Sequence, residues 1–318
     1  MASSLSAVHL SAVRLHDDEG SLEAIFVLGA NMLGCSLRHR GEELLAQKAG
    51  VDAYAERGKT MGIPLLYPWA NRLAGFDYTA AGKTVAVPRD PLRVALDSNG
   101  LPIHGLIGGR LAWELLDAPG PPSASSLTAR LSWSDARPEL FEVFPFRHDL
   151  AYHARLAGGR LEIELTVDAC GADAVPLAFG FHPYLSLPNA PREQWQIELP
   201  AMRSLELDSS QIPVAPGETV AARRFTLGES EFDDGFDALA EPASFVATAG
   251  GRRISLEFLR GYPCAQVYSP AGAQFICFEP MSAPANALRS GQGLRVLAPG
   301  ERFSAAFAVS IEDLPAGG

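Results

Sequence analysis

Strict two-residue alternation is the feature that most constrains this chain. In "RLEIELTVDA", Leu161, Ile163, Leu165 and Val167 fall on one side, and Glu162, Glu164, Thr166 and Asp168 on the other. That period belongs to a half-buried β-strand and does not fit one face of a helix. The preceding run "FRHDLAYHARL" puts Phe146, Leu150, Tyr152 and Leu156 on one parity, and "AGG" at 157–159 joins the two runs. Glycine reaches the positive φ that tight hairpins need, so the pair is predicted to be antiparallel.

The same unit recurs along the chain. "SFVATAGGRRISLEFL" turns at Gly250 and Gly251, and "FDYTAAGKTVAVP" at Gly82. "FSAAFAVSIED" aligns Phe303, Ala305, Phe307, Val309 and Ile311 on one side. Helical signals are short: "GEELLAQKA" (41–49) and "DAYAERG" (52–58) each predict two or three turns. "DAPGPPSASS" (117–126) is predicted to tip a hairpin. With 24 prolines and 30 glycines spread throughout, many short strands fit better than βαβ units. The expectation is an all-β chain: one large antiparallel β-sandwich domain over residues 1–318, with a few short helices.

Charge narrows the partners. Against 37 acidic residues stand 26 basic ones, a net charge of −11 with no basic run. Nucleic acid and anionic membrane surfaces are disfavoured, because phosphate binding draws on clustered Lys and Arg. The same field leans toward a neutral small molecule. Cys35, Cys170, Cys264 and Cys277 form no CxxC pair, so they are expected to be reduced thiols. The N-terminal stretch lacks a basic n-region and an apolar h-region, and no run approaches ~18 apolar residues. A cytoplasmic setting is expected.

Four stretches combine polar side chains with fixed backbone. In "GIPLLYPWANRL" (62–73), Asn71 and Arg72 close an apolar, proline-fixed segment, and the guanidinium needs a buried or cleft partner. A structural salt bridge and a ligand are equally good candidates for that partner. In "LPIHGLIGGRLAW", His104 precedes Gly105, whose missing side chain permits close approach. In "LAFGFHPYLSLP" (177–188), alternation sends Phe179 and Phe181 to the core and His182 to the opposite face, with Gly180 expected to leave the floor of a cleft open. In "AQFICFEPMSAPANAL" (273–288), Glu279 shares a face with Phe275 and Cys277 at the end of an apolar strand. Desolvation there raises a carboxyl pKa toward the range of a general base. No GxSxG elbow and no P-loop lysine with Ser/Thr is present. His104, His182 and Glu279 are chemically capable of holding zinc, but no HxH or HExxH spacing supports it.

Taken in order, these stretches resemble the aldose 1-epimerase (galactose mutarotase) family. "GIPLLYPWANRL" is similar to its G-x-P-x-x-x-P-x-x-N-R segment, and "IHG" to its first histidine motif. "GFHPYLSL" resembles its H-P-Y-F-N-L signature, with Leu185 and Ser186 replacing the Phe and Asn. "FEPMSAPANAL" resembles its E-P-x-T-x-P segment. "EFDDGFDAL" resembles a fifth element that picks out Asp233, with Asp234 and Asp237 as near competitors. The resemblance implies a galactose mutarotase-like supersandwich with no cofactor and no metal. It implies a monosaccharide substrate whose α and β anomers are interconverted. Glu279 would be the general base and His182 the general acid; Arg72, His104, Asp233 and Asn71 would bind the sugar. Relatives acting on glucose 6-phosphate carry an H-G-x-x-R pattern. Here Gly108 holds that place and Arg110 lies two residues on. A sugar-sensing protein on the same scaffold and a hexose 6-phosphate epimerase stand as alternatives, and monomer and homodimer are both open.

Overall fold

The structure is a computed structural model that describes residues 11–315 apart from 18, 118–124 and 136, together with all their side chains but that of Arg110. Two antiparallel sheets carry the architecture. The larger has nine strands, in the spatial order Glu114–Asp117, Ser126–Trp133, His148–Ala157, Arg160–Asp168, Arg302–Asp313, Arg252–Arg260, Ala243–Ala249, Gln196–Leu199 and Arg223–Thr226. The smaller orders Pro213–Val220, Met202–Leu207, Phe232–Asp237, Cys264–Ser269, Ile276–Met281, Gly180–Phe181 and Leu65–Leu66, and Tyr184–Leu185 also pairs with Ile276–Met281. A four-stranded sheet formed by residues 12–43 packs on the larger one, where Phe26 meets Tyr152 edge-on at 6.0 Å.

The sheets face each other because their central strands turn their apolar parity inward, while edge strands such as Glu114–Asp117 stay exposed. Every second residue from His148 to Leu156 is buried, and the alternating face of Arg160–Asp168 lies opposite it in register. Phe181 from the smaller sheet meets Phe307 from the larger at 4.9 Å, and Phe278 meets Phe245 at 5.2 Å. Each such ring removes enough apolar surface from water to contribute roughly 1.5–3 kcal/mol.

The glycine hairpins form as expected: Ala80 pairs with Lys83, Ala157 with Arg160, and Ala249 with Arg252. Glu114–Asp117 and Ser126–Trp133 pair antiparallel, while 118–124, the expected hairpin tip, lies outside the described residues. The three α-helices described are short, and Gly50–Arg57 covers the "DAYAERG" signal. The helix expected over 41–49 is absent. Its Glu42–Glu43 instead adds a strand beside Leu33–His39, and the Glu43 carboxylate accepts the Leu37 and Leu45 amides. Leu44 and Leu45 are both buried, and Leu45 forms an antiparallel bridge with Leu185, which holds the segment extended. Among the described residues no helix is long and apolar enough to cross a membrane.

Candidate active site

A cleft of about 860 Å³ opens on the outward face of the smaller sheet. Alternation explains its lining. On Ile276–Met281, Phe278 points into the core while Cys277 and Glu279 point away from it, with Glu279 on the cleft wall. The neighbouring strand presents Gln266 directly opposite Glu279, and Tyr268 opposite Cys277. One strand further, Asp233 stands opposite Tyr268.

His182 reaches the same place through register. Gly180 pairs with Met281 and Tyr184 with Cys277, so continuing the ladder across Pro183 sets His182 beside Glu279. The His182 Nε2 and Glu279 Oε1 atoms are 3.2 Å apart. Both residues are almost completely buried, at 4% and 2% exposure. Gly180 does not leave an open floor, contrary to the expectation above. A Cβ there would meet the Pro280 carbonyl at 2.6 Å and Ala70 at 2.9 Å, so glycine permits close backbone approach.

The "WANRL" and "PIHG" segments are stitched together by the bond from His104 N–H to the Asn71 carbonyl, at 2.9 Å. Both residues sit in the left-handed region, with φ of +54° at Asn71 and +62° at His104, a region where Asn and His are enriched. Gly105, at φ +72°, lets the Tyr67 backbone pass where a Cβ would stand 2.1 Å from its carbonyl oxygen. The His104 ring then meets the His182 ring edge-on at 5.4 Å.

Four polar side chains close a ring on the other side of the cleft. Arg72 donates to Asn71 Oδ1 at 3.0 Å, Asn71 Nδ2 to Gln266 Oε1 at 3.2 Å, and Gln266 Nε2 to Asp233 Oδ1 at 2.7 Å. Asp233 Oδ2 returns to the Arg72 guanidinium at 3.7 Å. Arg72 is anchored from behind by Asp97, Nε to Oδ2 at 2.8 Å. The arginine therefore has its salt bridge and still lines the cleft. Of the three competing aspartates, Asp233 lines the cleft while Asp237 is held by Arg203 through two bonds of 2.8 Å. Asp234 is exposed and is not part of the lining.

Burial dominates the electrostatics. It pushes the Glu279 carboxyl well above its usual range, and the nearby Asp233 charge adds to the effect. It also pushes the His182 imidazole well below its usual value, with His104 and Lys48 acting in the same direction. His104 is lowered to about 3, by burial first and then by the Arg72 and Lys48 charges. Glu279 Oε2, His182 Nδ1 and His104 Nδ1 are buried and have no partner within the protein. Among the described residues no group of three or more His, Cys, Asp or Glu side chains has the geometry to hold a metal ion.

Comparison with known proteins gives this arrangement a family. The sequence model described as aldose 1-epimerase matches residues 11–310. The chain belongs to the aldose 1-epimerase family. The Escherichia coli protein YihR, itself uncharacterised, is 25% identical over 244 residues, covering 74% of this chain and 75% of its own. The Slr1438 protein of Synechocystis sp. PCC 6803 superposes with a TM-score of 0.74 at 25% identity, over 98% of this chain and 100% of that one. A galactose mutarotase-like protein from Clostridium acetobutylicum reaches a TM-score of 0.81 at 16% identity over 96% of each chain, a likeness of fold. The supersandwich architecture is therefore shared, with mostly antiparallel strands and few short helices.

Sequence reasoning passed over Gln266, Asp97, Lys48 and Tyr184. Gln266 was detectable as a lone amide inside the apolar run "CAQVYS". Asp97 sits in "DSNG", where its carboxylate accepts the Asn99 and Leu101 amides in a turn.

Proposed function

We propose that this protein interconverts the α and β anomers of an aldose without a cofactor, with Glu279 as general base and His182 as general acid. The observation that carries the reading is the 3.2 Å contact between the two groups in the cleft. Mutarotation removes the proton from the C1 hydroxyl while the ring oxygen gains one, and the bond from C1 to the ring oxygen breaks. Both oxygens are bonded to the same carbon, so the base and the acid have to be close neighbours. The open aldehyde rotates about C1–C2, and closure on the other face runs the same transfers in reverse.

The pKa directions bear on this chemistry in two ways. They put the single proton of the pair on Glu279, so ring opening first needs it moved to His182 across the 3.2 Å contact, and they sharpen both groups once it is there. A carboxylate whose pKa is raised is a stronger base, and an imidazolium whose pKa is lowered is a stronger acid. Ring opening converts the charged pair into the neutral pair that burial favours. The unpartnered atoms of Glu279, His182 and His104 suit sugar hydroxyls, and the Arg72–Asn71–Gln266–Asp233 ring supplies fixed donors and acceptors to orient them.

Polarimetry on freshly dissolved α-D-glucose and α-D-galactose tests the reading. Wild-type protein is expected to speed the approach to equilibrium, and sugar binding without any acceleration would instead support the sensing protein. A specific observation favours a second substrate. Lys48, Arg57 and Lys59 line the cleft of a chain whose net charge is −11. This local positive rim runs against the whole-chain charge argument and would accept a hexose 6-phosphate. A higher kcat/KM for glucose 6-phosphate than for glucose, falling with added salt, would select it.

A further inference from the structure

Tyr184 has no place in the acid–base scheme above, yet it touches His182 twice. Its ring stacks on the imidazole with centroids 4.3 Å apart and planes 7° apart, and its Oη lies 3.2 Å from Nε2. Two groups hold that hydroxyl: Thr60 Oγ1 at 2.7 Å, and Lys48 Nζ, which donates at 3.3 Å. The ammonium also lies over the Tyr184 ring, 4.3 Å from its centroid, and 5.4 Å from that of Phe275. A line of polar atoms thus runs from the exposed Lys48 through Tyr184 and His182 to Glu279.

We propose that Lys48 and Tyr184 are positioning residues that set how many protons the His182–Glu279 pair holds; the inference rests on the acid–base reading of that pair. The pair works with one proton between its members. With two, Glu279 accepts nothing; with none, His182 donates nothing. A fixed cation disfavours the doubly protonated pair and favours the unprotonated one, so Lys48 moves both titrations of the pair downward. Burial moves the two groups in opposite senses, so it cannot substitute for such a charge.

Other groups face the pair as well. His104 comes from Pro102–Leu106, Tyr268 from Cys264–Ser269, and Cys277 from Glu279's own strand, with Arg72 and Asp233 further along the cleft. Arg72 is matched by Asp97 and Asp233, whereas Lys48 makes its contacts with rings and a hydroxyl. Tyr184 transmits the effect. With Lys48 donating to it, Oη keeps its own proton and a lone pair to share between Thr60 and Nε2. It accepts from Nε2 when His182 is protonated there and donates when it is not, so the imidazole stays oriented in both states.

The test is the pH dependence of kcat/KM for mutarotation of a neutral sugar in wild type, Lys48→Met, Lys48→Arg and Tyr184→Phe. Lys48→Met is expected to move both limbs of the profile up by about 0.5–1 pH unit. Lys48→Arg is expected to restore them, and Tyr184→Phe to lower kcat while the ring stack keeps KM nearly constant. Lys48→Met that loses rate at every pH with the limbs unmoved would assign Lys48 to structure and overturn the proposal. So would a loss confined to KM for glucose 6-phosphate. If wild type leaves mutarotation unaccelerated, the acid–base reading fails by itself. The ¹⁵N imidazole shifts of His182, assigned with His182→Asn, then decide the present point. A titration displaced upward in Lys48→Met supports it, and identical behaviour in both proteins sinks it.

Discussion

His182 Nε2 lies 3.2 Å from Glu279 Oε1 because one antiparallel register, running through Gly180–Met281 and Tyr184–Cys277, continues across Pro183. Two residues 97 positions apart are thereby brought into contact, and on the proposed acid–base reading they act as one unit. Replacing either is expected to cost about 10²–10⁴-fold in mutarotation rate. The Glu279→Gln, His182→Asn double variant should be hardly slower than the worse single one, because groups acting as a unit are not additive. Polarimetry of the three variants checks this, and a double variant slower by the product of the single losses would mean that the residues act independently.

Arg72 and Asp97 offer a separate test of how the cleft is held open. The Asp97 side chain is 4% exposed and that of Arg72 14%, so Arg72→Met leaves a buried carboxylate without its ion partner. The expected loss is about 3 kcal/mol of folding stability, the low end for a broken buried pair because Arg72 retains some solvent. Arg72→Lys keeps a charge but not the fork that grips Asn71 and Asp97 together, so KM should rise with a smaller stability loss. Urea unfolding alongside kinetics separates the two effects. An unchanged midpoint for Arg72→Met would show that Asp97 finds another partner.

The strands were legible in the sequence because alternation is a local signal: each inward Leu, Ile or Phe of "RLEIELTVDA" and "FSAAFAVSIED" is a choice made within two residues. The cleft was legible only in part. His182 and Glu279 stand out as ionisable groups in apolar runs, but their pairing depends on a register between segments with no local record of it. Lys48 lies in a stretch whose helix-like pattern was overridden when the Glu43 carboxylate accepted the Leu37 and Leu45 amides and Leu45 bridged to Leu185. Gly180 misled for a related reason. A missing side chain reads as open space, whereas the neighbouring Pro280 backbone fills it.

Gly105 shows the same lesson as a prediction. At φ +72° an added Cβ would stand 2.1 Å from the Tyr67 carbonyl oxygen and 2.4 Å from its carbon, so the backbone bearing His104 has to move. Gly82 has a comparable φ of +78° with nothing within 4 Å of its Cβ position. Gly82→Ala should therefore cost only the conformational term, about 1–2 kcal/mol, and leave kinetics alone. Gly105→Ala is expected to cost severalfold more and to raise KM through the displaced His104. Equal melting temperatures for the two variants would contradict the close approach of the Tyr67 backbone.

Acid sensitivity follows from a histidine that does not line the cleft. His148 is fully buried; its Nδ1–H donates to the Phe146 carbonyl at 2.7 Å, and its Nε2 accepts from Tyr67 Oη at 2.6 Å. Burial lowers its pKa to about 4, against the opposing pull of the Phe146 carbonyl. In the unfolded chain the ring titrates near its ordinary 6.5. Between these values the unfolded state binds the proton and the folded state does not. The stability His148 contributes is thus complete above pH 6.5 and is lost as pH falls toward 4, a change on the order of 3 kcal/mol. His104, lowered to about 3, adds a loss of the same sign. His148→Gln keeps polar partners for Tyr67 and Phe146 without a titrating ring, so its unfolding free energy should fall less between pH 7 and pH 4.5 than that of wild type. Parallel urea titrations at the two pH values measure the difference, and equal losses in both proteins would mean that His148 is already charged in the fold.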